Sequence, residues 1–168
     1  DEVFLLVLAI TDLEPVFSPS LYTERGSGGE VGFTHDIRRI DDPADVDALI
    51  AVQSLVFGGD FQPMAQRLKW ELSQHPDYIS LYAAYVDNVL VASARIYFPA
   101  SSQFASLWGG GTLPAYRGRG VYTALVAARA QEALARGRRF LTIDASPMSR
   151  PIVEKLGFVA ICTSTPCQ

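Results

Sequence analysis

The segment Leu113-Pro114-Ala115-Tyr116-Arg117-Gly118-Arg119-Gly120-Val121-Tyr122 has the residue types of an anion cradle and lies between a strand-like run and a helix-like run. Gly118 and Gly120 lack the Cβ atoms that would hold a ligand off the backbone, and they let the chain turn so that successive N–H groups point one way. A helix starting near Val121 adds its unpaired first-turn N–H groups and the positive end of its dipole. Arg117 and Arg119 supply full charges, so phosphate is the chemistry such a loop would serve. A nucleoside-triphosphate loop needs a lysine and then Ser or Thr after its second glycine, and this chain has neither there. The dinucleotide fingerprint fits only in part: Thr123 stands in place of its third glycine, although Asp144 ends the next strand-like run where a ribose-binding carboxylate belongs. By itself, Arg-Gly-Arg-Gly is also compatible with an ordinary exposed loop.

The elements that follow argue for the cradle. Tyr122 to Arg136 is rich in Ala and Leu, and Leu125, Val126, Arg129, Ala130, Ala133 and Leu134 form an apolar stripe interrupted by one arginine stem. Gly137 stops the helix. Phe140 to Ala145 reads as a buried strand, and Ser146-Pro147 as the cap and first position of a short helix running through Ile152, Val153 and Leu156 to Gly157. Phe158 opens another strand.

Loop, helix, strand, short helix and Gly157-Phe158, entered through Thr112-Leu113-Pro114, resemble motifs A and B of the GNAT superfamily of N-acetyltransferases. Motif A reads Gln/Arg-x-x-Gly-x-Gly/Ala; Arg117, Gly120 and Tyr122 occupy its defining positions, and Tyr122 departs from the usual small residue. The resemblance covers about residues 104 to 160 well and the preceding half in element order. It implies an α+β chain with a single GNAT acyltransferase fold, a mixed, mostly antiparallel twisted sheet flanked by helices. It further implies acetyl-CoA as acyl-donor substrate, with its phosphates on Arg117, Gly118, Arg119, Gly120, Val121, Tyr122 and Thr123. Backbone groups around Gly111, Thr112 and Leu113 would hold the pantetheine arm. Ser146 and Ser149 stand where motif B usually has Asn and Ala, and they can still hydrogen-bond that arm.

In this superfamily the strand before the loop splays from its neighbour to admit pantetheine, and Gly109, Gly110 and Gly111 make that strand unusually bare. A backbone donor there would polarise the thioester and stabilise an oxyanion. The proton-transfer groups match less well. Gln103 to Leu113 contains no acid or histidine, so a base must act from elsewhere or through water; Asp60, Glu71 and His75, near the first two helices, are the candidates. The tyrosine that protonates the thiolate in relatives aligns with Val153, which has no proton to give. Tyr82, Tyr85 and Tyr97 fall on strands and are expected to pack with their hydroxyls at the core edge.

The first half supplies the remaining elements. Asp36 to Ile40 reads as a strand, Asp41-Asp42-Pro43 as a helix entry for Val46, Leu49, Ile50 and Leu55 or Val56, and Gly58-Gly59 as its end. Met64, Leu68 and Leu72 mark one face of a second helix. Ile79 to Val86 and Val89 to Phe98 form a hairpin through Asp87-Asn88, with Gln103 to Leu113 as a third antiparallel strand. A typical member of the superfamily has one more closing strand than the residues after Phe158 leave room for. Val3 to Ile10, followed by a Pro, Ser and Gly linker to Gly32, is therefore expected to fill that last slot, within this chain or in a neighbouring molecule. Residues 1–32 are accordingly read as strand and linker, a remnant of a preceding lobe in two-lobed relatives, and residues 33–168 as the acyltransferase domain. The chain begins at Asp1, not Met, which leaves room for earlier segments.

With 168 residues, 49% of them hydrophobic, the chain can bury one substantial core. Its longest apolar run, Val3 to Ile10, is too short to span a bilayer, and no signal-peptide pattern opens it, so a cytoplasmic protein is expected. The net charge is −4, yet residues 114–155 hold eight bases against three acids, a field suited to a polyanionic ligand. Without interleaved exposed aromatics, this basic half does not read as a nucleic-acid surface. Cys162 and Cys167 match no zinc or redox spacing, and His35 and His75 lie far apart, so no metal site is expected. The expected partners are acyl-CoA and an amine acceptor, with no nucleic acid and no membrane, in a monomer or homodimer. Two functions of different kinds remain open: an N-acetyltransferase acting on a small-molecule or peptide amine, and a catalytically weak acyl-CoA-binding sensor or structural lobe.

Overall fold

A computed structural model describes residues 3–11 and 35–164; the linker beyond Thr11, the expected start of the domain at 33 and Cys167 lie outside the described residues. Alternating and continuous apolar runs form seven strands: β1 (Val3–Ala9), β2 (Asp36–Ile40), β3 (Ile79–Val86), β4 (Val89–Tyr97), β5 (Phe104–Thr112), β6 (Phe140–Ala145) and β7 (Val159–Ser164). Helices α1 (Val46–Phe57), α2 (Gln62–Gln74), α3 (Val121–Ala135) and α4 (Arg150–Lys155) connect them. The strands make one sheet in the order β2-β3-β4-β5-β6-β1-β7. Every neighbour pair is antiparallel except β5 and β6, which α3 links as a crossover.

Local chemistry accounts for the turns. Asp87 and Asn88 adopt φ of 50° and 63°, the pair of left-handed residues that a two-residue hairpin requires. Asp42 Oδ1 accepts from Ala44 N at 2.8 Å, and Pro43 opens the short 3-10 turn that leads into α1. Gly58, at φ 70°, ends α1.

Two cores flank the sheet. Val46, Leu49 and Ile50 of α1 and Ala65, Leu68 and Leu72 of α2 cover Ile40, Ile79, Leu81 and Ala83 on one face. On the other face, Leu125, Val126, Ala130 and Ala133 of α3 and Val153 of α4 pack on Val91, Ile96, Leu107, Leu141 and Ile143. Val3–Ala9 is a strand with partners on both sides. Leu6 and Leu8 of β1 are buried in the second core, so its apolar alternation is used within this chain.

Two local expectations need correction and one is narrowed. Leu134 is 49% exposed, and of the two alternatives at the end of α1 Leu55 is 70% exposed while Val56 is half-buried. Ser146 does not cap α4. The backbone turns first, with Ser149 N and Arg150 N donating to Ser146 O, and α4 begins at Arg150 with Ser149 at its cap position and Pro151 in its first turn.

Candidate active site

The site begins where two strands part. β5 and β6 pair from Phe104↔Phe140 through Leu107↔Ile143, supported by Thr142 Oγ1 donating to Ser106 Oγ at 3.0 Å, and they do not pair beyond. Trp108 to Thr112 on β5 and Asp144 on β6 therefore line the two arms of a V. The register of β4 against β5 shifts between Ser93 and Arg95, and Gly109 sits there at φ 58°, so the strand bulges at the head of the V. A methyl group at Gly109 would collide with the Arg95 guanidinium.

A cleft of about 1080 Å³ fills the V and runs up to the start of α3. At its upper end Gly118 and Gly120 have φ of 72° and 78°, and Gly120 is the residue before α3. The N–H groups of Gly118, Gly120, Val121, Tyr122 and Thr123 have no backbone acceptor among the described residues, so they remain available to an anion. Arg117 Nε donates to Thr112 O at 3.1 Å, which ties the arginine back onto β5; among the described residues its terminal nitrogens make no hydrogen bond.

His35 supports this loop from behind. A Cβ on Gly120 would stand 3.2 Å from His35 Nε2, and the ring hydrogen-bonds the Arg119 backbone. Burial pushes the His35 pKa down, and that hydrogen bond partly opposes the shift.

The lower, closed end is formed by Leu107, Ile143, Gly110, Tyr122 and Arg129. Arg129 is completely buried; its Nε donates to Leu125 O at 2.9 Å and its Nη1 to Arg95 O at 3.1 Å. Among the described residues its Nη2 has no acceptor. Burial pushes its pKa down to about 10, so it stays cationic at neutral pH. Burial also raises the Tyr122 pKa, against the pull of Arg129 and a hydrogen bond with Ser149. Thr112, in the wall of the cleft, has a second buried polar atom, Oγ1, without a partner among the described residues.

Of the residues singled out from sequence, Gly111, Thr112, Arg117, Gly118, Gly120, Val121, Tyr122, Thr123, Ser146 and Ser149 line this cleft. Leu113 and Arg119 are not in its wall: Leu113 N donates to Val91 O, and the Arg119 guanidinium lies over the Tyr116 ring. Asp60, Glu71 and His75 are also elsewhere. Asp60 Oδ1 accepts from Gln62 N at 2.9 Å and His75 packs edge-on to Trp70. Glu71 is buried, accepting from Arg67 Nε at 2.7 Å and from the Tyr97 hydroxyl at 3.2 Å. Val153 is fully buried.

Among the residues that the sequence does not assign to the site, Arg129, Asp144 and Trp108 are in the cleft wall and His35 stands behind the Gly118–Gly120 turn. In the sequence Arg129 reads as an interruption in a stripe, His35 as one of two distant histidines, Asp144 as a ribose-type carboxylate, and Trp108 carries no signal. Asp144 and Trp108 share a sheet face with Phe104, Ser106, Phe140 and Thr142, opposite α3, and both border the cleft. Among the described residues, no group of three or more His, Cys, Asp or Glu side chains could hold a metal ion, and no helix is long and apolar enough to cross a membrane.

Known proteins resemble this chain in sequence pattern and in fold. No curated protein matches it in sequence. A predicted acetyltransferase from Clostridium acetobutylicum, solved with acetyl-CoA, superposes with a TM-score of 0.61 at 20% identity, over 74% of this chain and 90% of its own. A GCN5-related N-acetyltransferase from Kribbella flavida gives 0.66 at 19% identity, over 97% of this chain and 56% of its own. The aminoglycoside N-acetyltransferase AAC(6')-Iy in complex with CoA gives 0.66 at 22% identity, over 87% of this chain and 98% of its own. The chain thus spans just over half the length of the Kribbella protein, and these likenesses concern the fold. The family model of the GNAT acetyltransferases matches residues 46–158, from the first residue of α1 to the one before β7. With that match over most of its length, the chain belongs to the GNAT family of acetyltransferases.

Proposed function

We propose that this protein is an acyl-CoA-dependent N-acetyltransferase that passes an acetyl group directly to an amine of a small molecule or peptide. One observation carries the reading: a phosphate-type cradle and an open strand pair lie at the two ends of a single cleft. The residues present suit CoA. The bare Gly118–Gly120 turn offers N–H groups to a diphosphate, Arg117 adds charge, and Thr112 Oγ1 and Arg129 Nη2 are polar atoms lacking partners along the path of the arm. Acetyl-CoA, when bound, supplies the activated acyl group as a thioester. Solved relatives with acetyl-CoA or CoA share the fold.

The chain's own part is positioning and electrostatics. The bulge at Gly109 and Gly110 frees backbone groups that can donate to a thioester carbonyl and stabilise an oxyanion. Holding donor and acceptor together supplies much of the remaining rate. The amine enters on the face opposite α3, where Asp144 offers a carboxylate to an ammonium and Trp108 a ring face. We assign the acyltransferase domain to residues 33–168 and the strand and linker to residues 1–32.

Incubating the protein with acetyl-CoA and a panel of amines, while following release of free thiol, tests the reading. Amine-dependent thiol release is expected. Tight CoA binding with no turnover on any amine supports instead a sensor or structural lobe.

A further inference from the structure

Arg129 carries an unexplained electrostatic cost. An ionised side chain taken out of water loses solvation that only an opposite charge or full hydrogen bonding offsets. Arg129 is fully buried, makes no ion pair with a carboxylate among the described residues, and has one terminal nitrogen with no acceptor. A second buried guanidinium, Arg95, lies on the other side of the β5 bulge and adds repulsion. Tyr122 and Tyr82 are the titratable groups that face Arg129, and neither supplies a negative charge at neutral pH, since burial raises both. An aliphatic residue at this position of α3 would meet the packing need alone.

Arg129 belongs to the wall of the cleft, and its unpaired nitrogen, closed off from water in the free protein, lies directly beneath Gly110 at the inner end. A Cβ on Gly110 would stand 3.4 Å from Arg129 Nη2, and the last paired residues of β5 and β6, Leu107 and Ile143, lie beside it in the wall. On the reading given above, which this inference assumes, the phosphates lie at the other end, so the reacting sulfur is delivered here. In acyl transfer, the amine nitrogen bonds to the carbonyl carbon and the C–S bond breaks with its electron pair going to sulfur. The amine proton passes to water. Sulfur is thus the atom that gains a full negative charge, and Val153, at the position where relatives carry a proton-donating tyrosine, has no proton to give it.

We propose that Arg129 is the catalytic residue that stabilises the CoA thiolate as it leaves, through a charge-assisted N–H···S⁻ hydrogen bond at the closed end of the cleft. The guanidinium keeps its proton throughout, and the thiolate takes one from solvent after release. The cation left unpaired in the free protein gains its counter-charge at the step that needs it.

The ultraviolet absorbance of the thiolate reports this directly. CoA is titrated with pH on the wild-type protein and on Arg129→Met and Arg129→Lys, with affinity measured separately by calorimetry. A cysteine thiol titrates at about 8.5, and CoA free in the same buffer supplies the reference for its own thiol. Bound to the wild type, its acid constant should rise at least roughly tenfold, one pH unit of differential interaction. Arg129→Met should abolish the rise while the fold is retained, because replacing an unpaired buried cation with an apolar side chain is often neutral or stabilising. Arg129→Lys should keep most of it. Equal thiol acidity in the wild type and Arg129→Met, with CoA bound to both, overturns this role and leaves Arg129 as a strut between Leu125 and Arg95. Absence of CoA binding to the wild type would instead sink the functional reading on which the inference stands.

Discussion

Arg117→Ala isolates the charge at the mouth of the cradle. Arg117 is exposed, and among the described residues its one hydrogen bond, from Nε to Thr112 O, fixes the stem and leaves both terminal nitrogens for a phosphate. A hydrogen bond to a charged group contributes about 1.5 to 3 kcal/mol, which is roughly ten- to 150-fold in affinity. Because the side chain is exposed and screened by salt, the lower end applies, about tenfold at physiological ionic strength and more in dilute buffer. Calorimetric titration with CoA and, separately, with pantetheine distinguishes charge from general damage. Arg117→Ala should weaken CoA binding and leave pantetheine binding unchanged, and Arg117→Lys should recover part of the loss with its salt dependence. If both ligands weaken equally, or neither does, Arg117 does not contact the phosphates and the cradle has been misread.

Further consequences can be checked at other positions. Gly120→Val should abolish CoA binding and lower stability by about 1 to 2 kcal/mol in thermal melts, since a β-branched residue at φ 78° is strained and its Cβ would press on His35 Nε2. His35 is held below its ordinary pKa, so its contribution to stability is complete above about pH 6.5 and is lost as pH falls through the lowered folded value; melting points from pH 7.5 down to 5 should fall less steeply in His35→Gln. Glu132 accepts from the hydroxyls of Ser80 and Tyr82, each at 2.8 Å, and from Arg136 Nη2 at 2.7 Å. Glu132→Ala strands these donors and should cost about 2 to 4 kcal/mol, lowering the melting temperature by roughly 5 to 15 °C without altering CoA affinity. Asp144→Asn should raise the KM for the amine several-fold at unchanged CoA affinity; an unchanged KM would remove Asp144 from the acceptor site.

Features encoded over a few neighbouring residues were legible in the sequence. Gly118-x-Gly120 before an Ala-rich run marks a turn that exposes N–H groups, and Asp87-Asn88 between two apolar runs marks a hairpin, because both depend on backbone preferences of the residues themselves. Longer-range arrangements were not. Nothing in Val3–Ala9 names β6 and β7 as its partners, since strand pairing is decided by which edges remain open. The parting of β5 and β6 after Leu107↔Ile143 is a property of the pair, and His35 meets Gly120 across 85 positions. Arg129 was hidden for a different reason: an arginine in an apolar stripe ordinarily extends its charge to water, and only the surrounding sheet shows that this one cannot. Leu134, one residue after the buried Ala133, illustrates the limit of periodicity near a helix end, where a single position decides which side of the stripe a residue falls on.

A crystal structure of the protein with bound CoA tests the central claim most directly. The account predicts the diphosphate within hydrogen-bonding reach of the Gly118 to Val121 backbone, and the arm between the unpaired ends of β5 and β6 with its sulfur near Gly110. CoA bound on another surface, or lying across the sheet with the V between β5 and β6 still empty, would contradict it.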